Sequence, residues 1–249
     1  MPNLIKYELK TVWRDLLVIL AVIILLNLAL LTRINVWQSE LVFGSSCLIY
    51  FGGLVAVFIS NIRIFTRDLK EDTGYLLFSV PQSGYSILGG KLVVVLLEFV
   101  SSSIIGIAFM YIFSEQLSFK LFNGFNGGSV LQMLGTLYGY ISLIIVIYFI
   151  IAFTKMIMKG KRLSGLVEVI IFIAFGVISY YLEDIIEKIL PQRMNISGGI
   201  VNLNISSSKI SDAAYGNVSF NIANGVLGFI ITVILFVATA YILEKKIDI

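Results

Sequence analysis

A run of eight residues, Gly84-Tyr-Ser-Ile-Leu-Gly-Gly-Lys91, comes close to the glycine-rich loop that holds the phosphates of a nucleotide. That loop needs a lysine immediately after its second glycine, then Ser or Thr for magnesium, and a β-strand upstream. Here Lys91 comes one place late, Leu92 follows it, and the surrounding sequence is that of a membrane helix. We therefore expect that this chain binds no nucleotide and has no cofactor of its own.

Glu98 is the main candidate for a polar site among the apolar segments, where ionisable side chains are rare and suggest a function by default. It follows Lys91 by only about 10 Å of helix. It therefore either faces the cytoplasmic interface, pairs with Lys or Arg there, or takes a substrate or coupling role. The sequence has no histidine and one cysteine, Cys47, so it lacks a histidine metal site and an intramolecular disulfide. We expect no catalytic or metal site, and an intramembrane enzyme is disfavoured.

The composition places the chain in a membrane. Of its 249 residues, 58% are hydrophobic and only 13% are charged, a balance unlike that of soluble domains. Six apolar stretches approach the roughly 20 residues that a helix needs to span a bilayer. They cover 16–31, 41–62, 92–113, 130–154, 165–182 and 222–243. These stretches do not alternate as barrel strands do. The predicted fold class is an all-α polytopic membrane protein, with one transmembrane domain over 1–249.

Basic residues fall mostly on one side of the predicted membrane. Thirteen of the eighteen lie at the termini and in the second and fourth connecting segments: Lys6, Lys10, Arg14, Arg63, Arg67, Lys70, Lys91, Lys155, Lys159, Lys161, Arg162, Lys245 and Lys246. Basic residues near span ends are retained in the cytoplasm. Both termini and these two segments are therefore predicted to be cytoplasmic.

The connecting segments carry patterns of their own. Before the first span, apolar residues recur at helical spacing, namely Ile5, Leu9, Val12, Trp13 and Leu16. This favours an N-terminal helix in the membrane interface over a plain extension of the first span. Segment 63–91 suggests a polar extension of the second helix to about Asp72, then an apolar phrase and a turn. Segment 183–221 predicts a short amphipathic helix ended by Pro191 and then an irregular outer cap.

Small residues on the third and fourth spans, including Gly106, Gly135, Gly139 and Ser142, allow helices to approach closely. Helix packing is the favoured interpretation, and a substrate path is the alternative. The nearby tyrosine Tyr138 fits either role.

The cytoplasmic segment Glu71-Asp-Thr-Gly-Tyr-Leu-Leu-Phe-Ser-Val-Pro-Gln-Ser-Gly-Tyr-Ser-Ile-Leu-Gly-Gly-Lys91 resembles that of ABC-2-type permeases. In that family an acidic stretch and a Gly or Thr precede "Leu-Leu-Ser-Leu-Pro-x-Ser", and "Ile-Leu-x-x-Lys" begins the third span. Val80 replaces the usual Leu here, and Gly84 stands where an Arg is common. Six spans, an N-terminal amphipathic helix and a long outer segment extend the resemblance over the chain.

The resemblance implies the type V exporter fold, with a coupling helix between spans two and three that docks on a separate ATP-binding subunit. ATP and magnesium would be held by that subunit. The implied docking residues are Asp68, Glu71, Asp72, Tyr75, Leu76, Phe78, Pro81 and Ser83, with Tyr75, Leu76 and Phe78 as apolar anchors and the acids as steering charges. The implied setting is a bacterial cell membrane, with a second permease copy or paralogue as partner and no nucleic acid.

The function implied is that of a permease subunit exporting a hydrophobic or amphipathic substrate. The alternative is a membrane sensor, immunity or assembly protein that uses the same scaffold without transport. A neighbouring gene for an ATPase favours the first, and its absence favours the second.

The orientation predicts the outcome of cysteine labelling in a Cys47→Ala background. A single cysteine at Ser207 should react with a membrane-impermeant maleimide in intact cells, because 183–221 is predicted to lie outside. Lys159→Cys should react only after permeabilisation. Labelling of the Ser207→Cys variant only after permeabilisation would contradict the orientation.

Overall fold

The structure is a computed structural model that describes residues 2–34, 36–70, 83–116, 127–158, 164–197, 200–205 and 218–245. The helices are α1 (Pro2–Leu31), α2 (Ser39–Lys70), α3 (Gly84–Gln116), α4 (Gly127–Met158), α5 (Ser164–Ile189) and α6 (Ile222–Lys245). The strands are β1 (Gln192–Ser197), β2 (Ile200–Ile205) and β3 (Val218–Asn221). The chain divides into two compact units, which are described separately: unit 1 is Met1–Asn123 and unit 2 is Gly124–Ile249.

Six helices in the described residues are long and apolar enough to cross a membrane. Each contains one predicted span, so the prediction of six helical membrane segments is confirmed. Most helices extend beyond the limits that were predicted for their spans. The fourth helix, for example, runs over Gly127–Met158 where the span prediction gave 130–154, because hydropathy marks the most apolar part of a helix and not the turns that flank it.

The helices of unit 1 are longer than a membrane is thick. α2 has 32 residues, about 48 Å of helix against a hydrocarbon core of about 30 Å. Most of the surplus lies at one end of the unit: before residue 16 in α1, after residue 62 in α2 and before residue 92 in α3. This is the end where the predicted docking segment leaves α2 and enters α3.

The N-terminal residues of α1 belong to the same continuous helix as the first span. A separate interfacial helix is therefore not confirmed. The predicted apolar stripe does exist, but it packs on protein: Val12 forms a buried cluster with Ile64 of α2 and Val94 of α3. Ile5 and Leu9 pack against that cluster. Burial against two neighbouring helices removes the need for a membrane surface to cover this stripe.

The other end of unit 1 is held by a second three-helix cluster, formed by Leu30, Val42 and Phe113. Between the two ends, Gly106 of α3 lies against the ring of Tyr50 on α2, so closely that a Cβ atom there would overlap the ring. The Tyr50 hydroxyl donates a hydrogen bond to Ser103 Oγ, one turn before Gly106, at 3.2 Å. The packing role predicted for small residues is thus observed on the third span.

In unit 2, α4 packs against both α5 and α6. None of the residues of α5 is buried. Between α5 and α6 lies a three-stranded sheet of order β2-β1-β3, antiparallel throughout. Met194 in the central strand stands opposite Leu203 on one side and Phe220 on the other.

The expectations of an all-α fold and an irregular outer cap are therefore wrong for this segment. Apolar and polar residues alternate along β1 and β3, the pattern of a half-buried strand. The high Ser, Asn and Gly content of the surrounding sequence hides that alternation. The short amphipathic helix predicted at Glu183 is instead the last part of α5, which ends at Ile189, two residues before Pro191.

Asn221 joins α5 to α6. Its side-chain Nδ2 donates a hydrogen bond to the backbone oxygen of Leu190 at 2.7 Å. Its Oδ1 accepts hydrogen bonds from the backbone N–H groups of Ala223 and Asn224. This is the N-cap arrangement that satisfies the first amide groups of a helix.

The close approach at Gly106 predicts unequal effects of two Gly→Ala substitutions in α3. Gly106→Ala should lower the free energy of unfolding by about 1 to 3 kcal/mol, because overpacking against the Tyr50 ring outweighs the gain in helix propensity. Gly89→Ala is the matched control, since a Cβ atom there meets nothing within 4 Å. The measurement is thermal unfolding in detergent. Equal melting temperatures for the two variants would contradict the packing described here.

Candidate functional site

Three charged side chains meet at the end of unit 1 that flanks the predicted docking segment. Lys91 Nζ of α3 donates a hydrogen bond to Glu8 Oε1 of α1 at 2.7 Å, and another to Asp68 Oδ2 of α2. The side chains of Lys91, Glu8 and Asp68 are 5%, 9% and 17% exposed. We call these three residues the ion cluster. It links α1, α2 and α3.

The local sequence explains how these charges come together. Glu8 lies three residues after Ile5 and four before Val12, so it shares the apolar face of α1 that packs against α2 and α3. Asp68 lies in the last turn of α2, and Lys91 lies two turns into α3. The ion cluster is therefore positioned by the same contacts that form the apolar cluster of Val12, Ile64 and Val94.

The charges nearly balance. Two carboxylates face one ammonium, and Arg67 Nε lies 3.9 Å from Asp68 Oδ1 as a second cation. A buried ion pair adds little net stability compared with apolar residues, because desolvation offsets the attraction. Removal of one partner is costly, since it leaves a buried charge without compensation. The ion cluster thus fixes the relative positions of the three helices more than it increases their stability.

Glu98 is 2% exposed, and its carboxylate is bound by Asn61 of α2. Asn61 Nδ2 donates to Glu98 Oε2 at 2.6 Å and to the backbone oxygen of Val57 at 2.9 Å. Within the described residues the partner of Glu98 is thus an amide rather than Lys or Arg. An amide N–H can donate to a charged or a protonated carboxyl group. A functional role for Glu98 stays a prediction.

The ion cluster and the Asn61–Glu98 pair are separated by the same number of residues in α2 and in α3. Asn61 precedes Asp68 by seven residues in α2, and Lys91 precedes Glu98 by seven residues in α3. Seven residues are two turns, about 10 Å, and return to the same face of a helix. Because α2 and α3 run in opposite directions, their polar residues meet in pairs at this spacing. The α2–α3 contact therefore carries a polar pair at two successive levels.

The structure describes two of the eight predicted docking residues. Asp68 takes part in the ion cluster, so its carboxylate is engaged within unit 1. Ser83 is exposed and precedes α3, where its backbone oxygen accepts hydrogen bonds from Ser86 and Ile87. The other six lie outside the described residues: Glu71, Asp72, Tyr75, Leu76, Phe78 and Pro81. The predicted coupling helix itself also lies there.

Sequence reasoning missed two members of these sites, Glu8 and Asn61. Glu8 could have been found, because an acid on the apolar face of an amphipathic helix needs a basic partner when that face is buried. Asn61 carried a weaker signal, the seven-residue spacing to Asp68. The sequence predicted Lys91 to be a cytoplasmic charge at the start of the third span, but it did not reveal its contacts with Glu8 and Asp68.

A comparison of the chain with protein-family models, curated proteins and solved structures finds no match.

The ion cluster predicts that removing the charge of Lys91 alone destabilises the chain. It also predicts that neutralising all three residues together restores most of the stability. Lys91→Gln should lower the free energy of unfolding by about 3 kcal/mol, because Glu8 and Asp68 lose their counter-charge. The triple variant Glu8→Gln/Asp68→Asn/Lys91→Gln should recover most of that loss. Lys10→Gln removes an exposed charge from the same end of α1 and should change little. Equal thermal stability of the Lys91→Gln variant and the native chain would contradict the cluster.

Proposed function

We propose that this chain is the membrane permease subunit of an ATP-binding cassette transporter, exporting a hydrophobic or amphipathic substrate with ATP hydrolysed by a separate subunit. One observation supports this most directly. The ion cluster ties α1, α2 and α3 together at the end where residues 71–82 leave α2 and enter α3. That segment is the part of the sequence that resembles the ATPase-docking loop of ABC-2-type permeases.

The ion cluster gives a physical route for coupling. A push on residues 71–82 acts first on the end of α2 at Lys70 and on the start of α3 at Gly84. Asp68 and Lys91 lie within seven residues of those ends, and Lys91 also holds Glu8 of α1. A displacement of the segment would therefore move three helices together instead of bending one loop. Tight packing makes such an element switch between discrete positions.

In the proposed cycle, two permease copies or paralogues pair with two ATP-binding subunits. ATP and magnesium are bound by those subunits, whose closure displaces the docking segments. The permease halves then rock against each other and alternate access for the substrate. This chain binds the substrate and changes conformation, and it carries out no bond chemistry.

The docking residues belong to the same proposal. Tyr75, Leu76 and Phe78 are the apolar anchors, while Glu71 and Asp72 steer the partner. Buried aromatic anchors usually contribute about 2 kcal/mol or more to an interface, and rim charges a few tenths. Because Asp68 is engaged by Lys91, its contribution is to position the segment rather than to attract the partner at long range.

The test is co-purification with an ATP-binding subunit encoded beside this chain. Tyr75→Ala/Phe78→Ala should weaken the complex about 30-fold, the equivalent of about 2 kcal/mol. Glu71→Gln should alter mainly its salt sensitivity. Val36→Ala/Trp37→Ala is the control, because it removes two exposed apolar residues from the opposite end of unit 1.

Native ATPase binding and transport by the correctly inserted Tyr75→Ala/Phe78→Ala variant would contradict the docking assignment. The lack of any ATP-binding partner for the native chain would instead favour a sensor, immunity or assembly role.

A further inference from the structure

Unit 2 contains a cavity of about 390 Å³ between α4, α5 and α6. Glu183, Ser179 and Asn224 line one end, close to where α5 ends and α6 begins. Phe172 and Val146 line the part farther along the helices. The cavity therefore has a polar end at Glu183, Ser179 and Asn224 and a mostly apolar remainder.

The dimensions suit a chain-like ligand. Glu183 comes eleven positions after Phe172 in α5, a distance of about 16 Å along a helix. This is about half the thickness of a hydrocarbon core. Four glycines line the cavity, and three of them, Gly139, Gly176 and Gly225, leave open space where side chains would otherwise project. Gly139 and Ser142, two of the small residues of the fourth span, thus line a cavity, and a substrate path along them stays a prediction.

The polar end offers hydrogen-bond acceptors. The Oδ1 atom of Asn224 is buried and has no hydrogen-bond partner in the part of the chain that the structure describes. The nearby cations already have acidic partners, since Lys188 pairs with Asp184 and Arg193 with Glu187. Among the described residues, Glu183 has no such cation. A ligand at this end must therefore donate hydrogen bonds and complement a negative charge.

Several donors around the cavity are used within unit 2. The N–H groups of Ala223 and Asn224 bind Asn221 Oδ1. Along the wall, Thr232 donates to the backbone oxygen of Gly228 at 2.8 Å, so the hydroxyl of Tyr138 is left to donate to Thr232. Ser142 donates to the backbone oxygen of Gly139. An anionic head group at this end would face the carboxylate of Glu183.

We propose that this cavity binds amphiphiles that carry a primary ammonium group, with the ammonium at Glu183 and Asn224 and the hydrocarbon chain directed toward Phe172. As a binding site it requires no ATPase. Its identification as the substrate site rests on the proposed transport function. The ammonium group could belong to a single-chain cationic amphiphile or to the head group of an aminophospholipid.

The test measures binding to the full chain in phosphatidylcholine nanodiscs, with empty nanodiscs as background. Radiolabelled dodecylammonium should bind saturably, whereas dodecyl sulfate, with the same chain and an anionic head, should not. Glu183→Gln should weaken dodecylammonium binding about tenfold. Glu168→Gln is the matched control, since it removes an acid from the same helix outside the cavity.

A second pair of variants tests the cavity independently of charge. Gly176→Leu should abolish binding by filling the cavity, and Gly165→Leu, at the start of the same helix and outside the lining, should not. A Cβ atom at either glycine meets nothing within 4 Å, so both variants should fold. Size-exclusion profiles check this.

Nanodiscs that contain phosphatidylethanolamine distinguish the two sources. If phosphatidylethanolamine lowers dodecylammonium binding, the site accepts an aminophospholipid head group. If that lipid has no effect on binding, the site is specific for a single-chain amphiphile. Equal binding of dodecyl sulfate, or native affinity in both Glu183→Gln and Gly176→Leu variants, would overturn the proposal. Because no ATPase is present, such a result would leave the docking assignment to its own test.

Discussion

The buried ammonium group of Lys91 is the constraint on which the architecture of unit 1 depends. A charge that is 5% exposed must be compensated within the protein. Its two partners come from different helices, Glu8 from α1 and Asp68 from α2. Apolar packing alone would allow these helices to slide, because membrane helices gain little from burying apolar surface against one another rather than lipid. The charges fix how the three helices align, and the apolar clusters pack between the helices in that alignment.

This constraint is also the physical basis of the proposed coupling between the docking segment and the membrane helices. A docking segment can drive a membrane domain only when the helices on which it pulls are joined to the rest of that domain. The ion cluster joins them within seven residues of the ends of α2 and α3, and the Asn61–Glu98 hydrogen bond connects α2 and α3 again two turns farther along. Unit 2 has a different character, since no residue of its α5 is fully buried and its cavity offers acceptors to a ligand. The two proposals thus place coupling and ligand binding on different helices.

The sequence was sufficient for the number, type and approximate limits of the spanning helices, because a long apolar run in a bilayer has few alternatives to a helix. It was not sufficient for contacts between helices. The apolar stripe of α1 was recognised, but hydropathy cannot distinguish a stripe that faces lipid from one that faces Ile64 and Val94. The sheet was missed because Met194, Leu203 and Phe220 are too few to stand out in a Ser- and Asn-rich segment. Lys91 was identified, but its partners lie 23 and 83 residues away and only the fold brings them near.

The most direct measurement of the proposed coupling is hydrogen–deuterium exchange on the chain in complex with the proposed ATP-binding subunit, with and without trapping by ATP and vanadate. Trapping should change the exchange of backbone amides at three places together: the start of α1, the end of α2 and the start of α3. Lys91→Gln should confine the change to α2, α3 and the segment between them, because α1 is no longer held. A change restricted to residues 71–82 in the native complex would contradict the account.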